Sequence, residues 1–103
     1  MAQDTRLTER IDRSLRYDHA MLDELAEVTA EWDEIPDGER ASWSMDWDQF
    51  ALDKISRVTG HYESGDMTPD QEASYRRLLQ RIEANRDLIE RFGLTMPRIP
   101  VET

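Results

Sequence analysis

Hydrophobic residues recur along this chain in three stripes of helical period, separated by polar punctuation. In the first, Leu7, Ile11, Leu15, Leu22, Leu25, Val28 and Trp32 follow at steps of three, four and seven. That spacing puts side chains on one face of a 3.6-residue helix. Met21 and Ala26 widen the stripe, and no breaker interrupts it before Pro36. Asp4 or Thr5 supplies the expected N-cap, which predicts a helix over residues 5–33; roughly 28 residues span about 42 Å. One residue interrupts the pattern: Asp18 falls in the middle of the apolar face.

Pro36-Asp37-Gly38 ends this element, because proline disfavours the α conformation in Ile35 and Asp-Gly suits a turn. The second stripe is Trp43, Trp47, Phe50, Ala51, Ile55, Val58 and Tyr62, predicting a helix that starts between Asp37 and Ser44, set at about 42–64 with a Ser42 or Ser44 cap, and stopped at Gly65-Asp66. Lys54 falls within this stripe as Asp18 does in the first. An antiparallel hairpin sets the two about a turn apart in height, a gap a lysine stem covers. The expectation is a partly buried Asp18–Lys54 pair that fixes helix register; the alternative is that both are solvated at a stripe edge.

The third helix has the plainest start. Thr68 is the N-cap, Pro69 sits at N1 where its missing N–H costs nothing, Asp70 favours the positive end and Gln71 completes a capping box. Tyr75, Leu78, Leu79, Ile82, Ile89 and Phe92 form its stripe, with Asn85 as a polar interruption and Gly93 as the C′ residue, so 68–92 is predicted helical. Its exposed face is neutral, with five acids and five arginines. Pro97 and Pro100 keep residues 94–103 out of a helix. Leu94, Met96, Ile99 and Val101 are too apolar for a solvated tail, so that segment is expected to lie extended on the bundle or on a second copy. The predicted fold is all-α, a single domain built as an antiparallel up-down-up three-helix bundle, with a four- or six-helix homodimer as the alternative.

Composition narrows the function. With 103 residues, 38% apolar and 35% charged, the chain has one modest core. It has no cysteine, which excludes disulfides, zinc–thiolate sites and cysteine nucleophiles. No apolar run approaches the ~18 residues of a membrane helix, and Met-Ala-Gln-Asp-Thr-Arg is not a signal-peptide start. A cytoplasmic protein without membrane association is expected. The formal charge of −10 argues against direct nucleic-acid binding, which needs a basic face. From Asp18 to Asp53 there are twelve acids and one base, Arg40, a net −11; the remainder carries eleven acids and twelve bases, a net +1. Twelve arginines accompany a single lysine, Lys54. An arginine-biased genome or adaptation to high salt accounts for this as readily as a functional acidic face.

Chemistry is sparse. An antiparallel hairpin does not bring His19 and His61 to one height. His19 and Asp23, at i and i+4, are two metal ligands where a selective site needs more. Neither Glu-x-x-His nor His-Glu-x-x-His occurs, and no glycine-rich phosphate loop is present. The carboxylate pairs Asp23/Glu27, Glu27/Glu31 and Asp46/Asp48 read as solvated faces. No catalytic residue, cofactor or metal centre is therefore expected. Binding is better supported. Trp32, Trp43 and Trp47 should cluster at one end of the bundle, ringed by Glu31, Asp33, Glu34, Asp37, Asp46 and Asp48. Met45 and Leu52 lie opposite the core stripe. Tryptophans are frequent interface anchors and carboxylates steer basic partners, so this corner is the expected docking surface. The competing reading is that the tryptophans plug the bundle end as core.

The expected function is a small protein–protein adaptor or homo-oligomeric structural protein. The alternatives are an acidic inhibitor, antitoxin-like or DNA-mimicking, that fills a basic groove on its target, and a weak carboxylate/histidine metal binder. Trp43-Ser44-Met45 is the nearest approach to the Trp-x-Gly mark of small secreted helical-hairpin proteins, and it lacks the glycine.

Overall fold

The computed structural model describes residues 2–99, with side chains from Thr5 onward. Among the described residues every regular element is helical. In order they are α1 (Ala2–Ala30), a 3-10 turn (Trp32–Glu34), α2 (Asp37–Gln49), a π-turn (Phe50–Lys54), α3 (Ile55–Glu63), α4 (Pro69–Ala84) and α5 (Arg86–Arg91).

The helix ends correct several expectations. α1 is already under way at Ala2, so Asp4 and Thr5 lie within it and not at its start. It stops at Ala30 because Pro36 holds Ile35 extended, at φ −85° and ψ 130°. The intervening residues tighten into a 3-10 turn, with Glu34 N–H donating to Glu31 O at 2.9 Å. α2 starts at Asp37, five residues before the expected 42, so Ser42 and Ser44 are interior positions and not caps. Asp37 and Glu39 complement the positive end of its first turn. Helical backbone then continues unbroken to Glu63, but its middle, Phe50–Lys54, is a π-turn.

Both predicted glycine stops form. Gly65 has φ +76° and Gly93 φ +67°. In each case the paired bonds of a Schellman motif close the helix: Asp66 N–H to His61 O and Gly65 N–H to Tyr62 O, then Leu94 N–H to Ile89 O and Gly93 N–H to Glu90 O. The capping box at Thr68 and Gln71 is complete. Asn85 does more than interrupt a stripe. It leaves helical geometry at φ −102° and ψ 8°, turns its Nδ2 back onto Arg81 O at 2.7 Å, and separates α4 from α5.

The three stripes meet in one core. Ile11, Leu15, Met21, Leu22 and Leu25 of α1 are buried with Trp47, Phe50, Ala51, Ile55 and Val58, and with Tyr75, Leu78, Ile82 and Ile89. α1 packs on α4, α3 and the π-turn, and α3 packs on α4. Gln71 ties α1 to α4 through a buried amide: Nε2 donates to Thr8 O at 2.9 Å and Asp12 Oδ1 at 2.7 Å, while Oε1 accepts from Thr68 N–H. After Gly93 the chain has no regular structure to Ile99, and Leu94, Met96 and Ile99 pack against the core. Trp47 Nε1 donates to Thr95 O and Thr95 Oγ1 donates to Asp48 Oδ1, both at 2.7 Å, which pins this segment to α2. Pro100 and Val101, placed in the tail by sequence, lie outside the described residues.

Candidate functional site

The aromatic residues of the Trp32–Trp47 stretch form a row that runs from the surface into the core. Ring centroids lie 5.5 Å apart for Phe92–Trp32, 6.5 Å for Trp32–Trp43, 5.7 Å for the stacked Trp43–Trp47 and 5.0 Å for Trp47–Phe50. Helical spacing on α2 and the 3-10 turn after α1 place these rings edge to face or stacked, as aromatic quadrupoles prefer. Trp47, expected in the docking surface, is fully buried and has no area to offer a partner. Trp32 and Trp43 are half-buried. The Arg40 guanidinium lies 5.7 Å from the centre of the Trp32 ring and is also ion-paired with Asp37, so one cation covers the outer end of the row. Trp43 Nε1 is buried without an acceptor.

What remains open to solvent is the outward face of α2 and the π-turn. Met45 is 66% exposed and Leu52 55%, the most exposed large apolar side chains described, followed by Tyr17 at 39%. Met45 and Leu52 lie within the acidic Asp18–Asp53 segment. Of the twelve acids between Asp18 and Asp53, Asp18 is buried and Asp48 half-buried; the other ten are exposed. Asp23, Asp37 and Asp53 pair with Arg81, Arg40 and Arg57. Among the described residues no ion pair involves Glu24, Glu27, Glu31, Asp33, Glu34, Glu39 or Asp46. Expected site residues Glu31, Asp33 and Asp46 thus present free charge, whereas Asp48 holds Thr95. Tyr17 was not anticipated; its phenol is pushed up by burial, then by Asp46, Asp18 and Glu24.

Asp18 and Lys54 do not form a hydrogen-bonded pair. Asp18 has no exposed surface and neither carboxylate oxygen has a hydrogen-bond partner. The Lys54 ammonium instead lies 5.0 Å from the centre of the Tyr17 ring. Burial raises the Asp18 carboxyl to about 7, with the Lys54 charge pulling it back down.

His19 and Asp23 are bridged by an arginine. Arg81 Nη1 donates to His19 Nδ1 at 3.0 Å and to His19 O at 3.2 Å, and its Nη2 donates to Asp23 Oδ1 at 2.6 Å. Guanidinium only donates, so Nδ1 accepts and the proton of neutral His19 sits on Nε2, which faces Ser74 O at 3.2 Å. Burial lowers the His19 pKa, the bond to Ser74 raises it, and Arg81 and Arg77 lower it further. His19 and Asp23 line a groove of about 500 Å³ between α1 and α4 together with Asp12, Gln71 and Ser74. Among the described residues no group of three or more His, Asp or Glu is placed to hold a metal ion. No helix of the described residues is long and apolar enough to cross a membrane.

A scan against protein-family models, a search of curated proteins and a search of solved structures find no match to this chain.

Proposed function

We propose that this is a non-enzymatic, cytoplasmic interaction protein that docks a basic partner on the acidic outer face of α2 and the π-turn. The scaffold is an up-down-up bundle. That arrangement is supported by contacts in rising order between α1 with the 3-10 turn after it and α4–α5 with the residue that follows (Thr8–Gln71, His19–Arg81, Trp32–Phe92), and in falling order between α1 with the 3-10 turn and α2 with the π-turn (Tyr17–Lys54, Trp32–Trp43). The segment after Gly93 then acts as a strap that closes the tryptophan end.

The observation that carries the reading is Met45 and Leu52 standing in water within the Asp18–Asp53 segment that carries a net −11. Apolar side chains on an otherwise charged face are anchors with nothing to anchor to. Trp32 and Trp43 are half-buried and Trp47 is buried in the core. A symmetric homodimer through the same face is disfavoured, because an isologous contact would set one −11 segment against another. A basic protein partner meets no such penalty, and the acidic-inhibitor reading is a special case of it.

The test uses a synthetic basic helix, lysine- and arginine-rich with leucines seven apart, titrated into isotope-labelled protein. Amide shifts confined to Met45, Asp46, Leu52 and their neighbours, lost in the Met45→Asp/Leu52→Asp variant and weakened between about 0.05 and 0.5 M salt, support the proposal. Shifts scattered over the whole surface, or unchanged in the double variant, would remove it.

A further inference from the structure

Asp18 stands among Leu15, Met21, Leu22 and Leu25 on the buried face of α1, fully inaccessible, with both carboxylate oxygens unpartnered. α1 packs at this level on the π-turn. Lys54, the last residue of that turn, is the one charged side chain acting on the carboxyl. Of the other ionisable groups nearby, Arg13 of α1 lines a pocket with Tyr17 and Lys54, and the rest act elsewhere. Asp46 of α2 and Glu24 of α1 act on Tyr17. Asp53 of the π-turn pairs with Arg57 at 3.3 Å. His19 turns toward Ser74 and Arg81 of α4, and α3 contributes apolar Ile55 and Val58 to the core.

A carboxylate without water or donors in such a place is far costlier than the neutral acid, which carries no net charge to solvate. The closed packing is therefore the packing of the protonated side chain. Once ionised, Asp18 has two ways to regain solvation: recruit Lys54 from the Tyr17 ring, or admit water between α1 and the turn. The first takes a turn of the Lys54 side chain; the second requires Phe50–Lys54 to move away from α1. A π-turn is suited to this, because it carries an extra residue that regular α-helix does not accommodate, and such turns are frequent at functional sites.

We propose that Asp18, Lys54 and the π-turn form a proton-operated joint, closed while Asp18 is the neutral acid with Lys54 resting on Tyr17, and loosened when Asp18 releases its proton to solvent. The inference is independent of the docking surface.

The test is read first on the unaltered protein, by following the Asp18 side-chain carboxyl carbon in an NMR pH titration. On the same samples, hydrogen-exchange protection factors are measured for the amides of residues 50–54. The expected result is a titration midpoint at least about two pH units above the ordinary aspartate value. Protection at 50–54 should fall about tenfold or more across that midpoint. Asp18→Asn should hold 50–54 protected at every pH, and Lys54→Met should move the midpoint further up. A midpoint in the ordinary aspartate range overturns the proposal. So does protection that stays flat across the titration, or that falls equally in Asp18→Asn. The wild-type titration decides the matter even where a variant does not fold.

Discussion

Trp47 and Trp43 stack on one another, yet their indole nitrogens are in opposite situations, and that contrast gives a sharp experiment. Trp47 Nε1 donates to Thr95 O at 2.7 Å, whereas Trp43 Nε1 is buried with no acceptor. Phenylalanine in place of either keeps an aromatic ring and deletes the N–H. At Trp47 the change leaves the Thr95 carbonyl without its donor, a loss of about 1–3 kcal/mol. The smaller ring in a fully buried site adds a cavity term of about 1 kcal/mol. Trp47→Phe should therefore cost about 2–4 kcal/mol and loosen the Leu94–Ile99 segment that Thr95 anchors. At Trp43 the deleted N–H was already unsatisfied, so removing it recovers about 1–3 kcal/mol of desolvation penalty and offsets the lost packing of a half-buried ring. Trp43→Phe should fall within about 1 kcal/mol of wild type. Urea unfolding followed by far-UV circular dichroism measures both without relying on the tryptophan signal being changed. Equal losses for the two variants, or a larger loss for Trp43→Phe, would refute the assignment of Trp47 as the bonded core residue and Trp43 as the orphan.

The other expectations are simpler. Gly93→Val should destabilise by about 1–3 kcal/mol because Gly93 has φ +67°, while no neighbouring atom lies within 4 Å of an added Cβ; melting unchanged from wild type would contradict the Schellman end. Asp18 fixes the sign of one pH dependence. Its carboxyl rises from 3.8 in the unfolded chain to about 7 in the folded one, so the stability present below 3.8 is lost as pH climbs to about 7. That loss is on the order of 4 kcal/mol, seen as the difference in urea midpoint between wild type and Asp18→Asn at acid and alkaline pH, and a constant difference would contradict it. His19 runs the other way: its folded pKa is lowered, so its contribution is lost as pH falls and Nδ1 can no longer accept from Arg81.

Periodicity carried the helices because one face of each must be apolar, and the caps were legible because Thr68, Gln71, Gly65 and Gly93 have few alternative roles at their positions. The π-turn was not legible. It changes helix register by one residue with no compositional cue, and Phe50–Lys54 reads as ordinary helix. That missed turn also explains the missed geometry of Lys54. Register placed Lys54 near Asp18 in height, but its direction depends on the helical phase, which a π-turn alters, and the ammonium meets Tyr17 instead. Arg81 with His19 and Asp23, and Thr95 with Trp47 and Asp48, join residues 47 to 62 positions apart through side chains that carry no pattern of their own. Exposure of Met45 and Leu52 was readable from the stripe; the burial of Trp47 was readable only as one of two options.

The acidic hairpin is the feature for which stability and recognition predict opposite signs. Glu27 lies one helical turn from both Asp23 and Glu31, is exposed, and has no ion pair among the described residues. Arg81 already offsets the Asp23 charge and Glu31 lies just past the end of α1, so the repulsion is that of about one like-charge helix pair, about 0.2–0.5 kcal/mol. Glu27→Gln should thus stabilise the isolated protein by about 0.2–0.5 kcal/mol at low salt, and the gain should vanish when salt screens the repulsion. Removing the same charge should weaken capture of the basic helical probe, since the steering field is diminished. The imbalance is local: residues 18–53 carry −11, while α4 and α5 balance five acids against five arginines. If Glu27→Gln destabilises the protein, the carboxylate has a structural partner after all and the strain argument fails. If it stabilises the protein and leaves probe binding untouched, the acidity is real but the docking surface lies elsewhere.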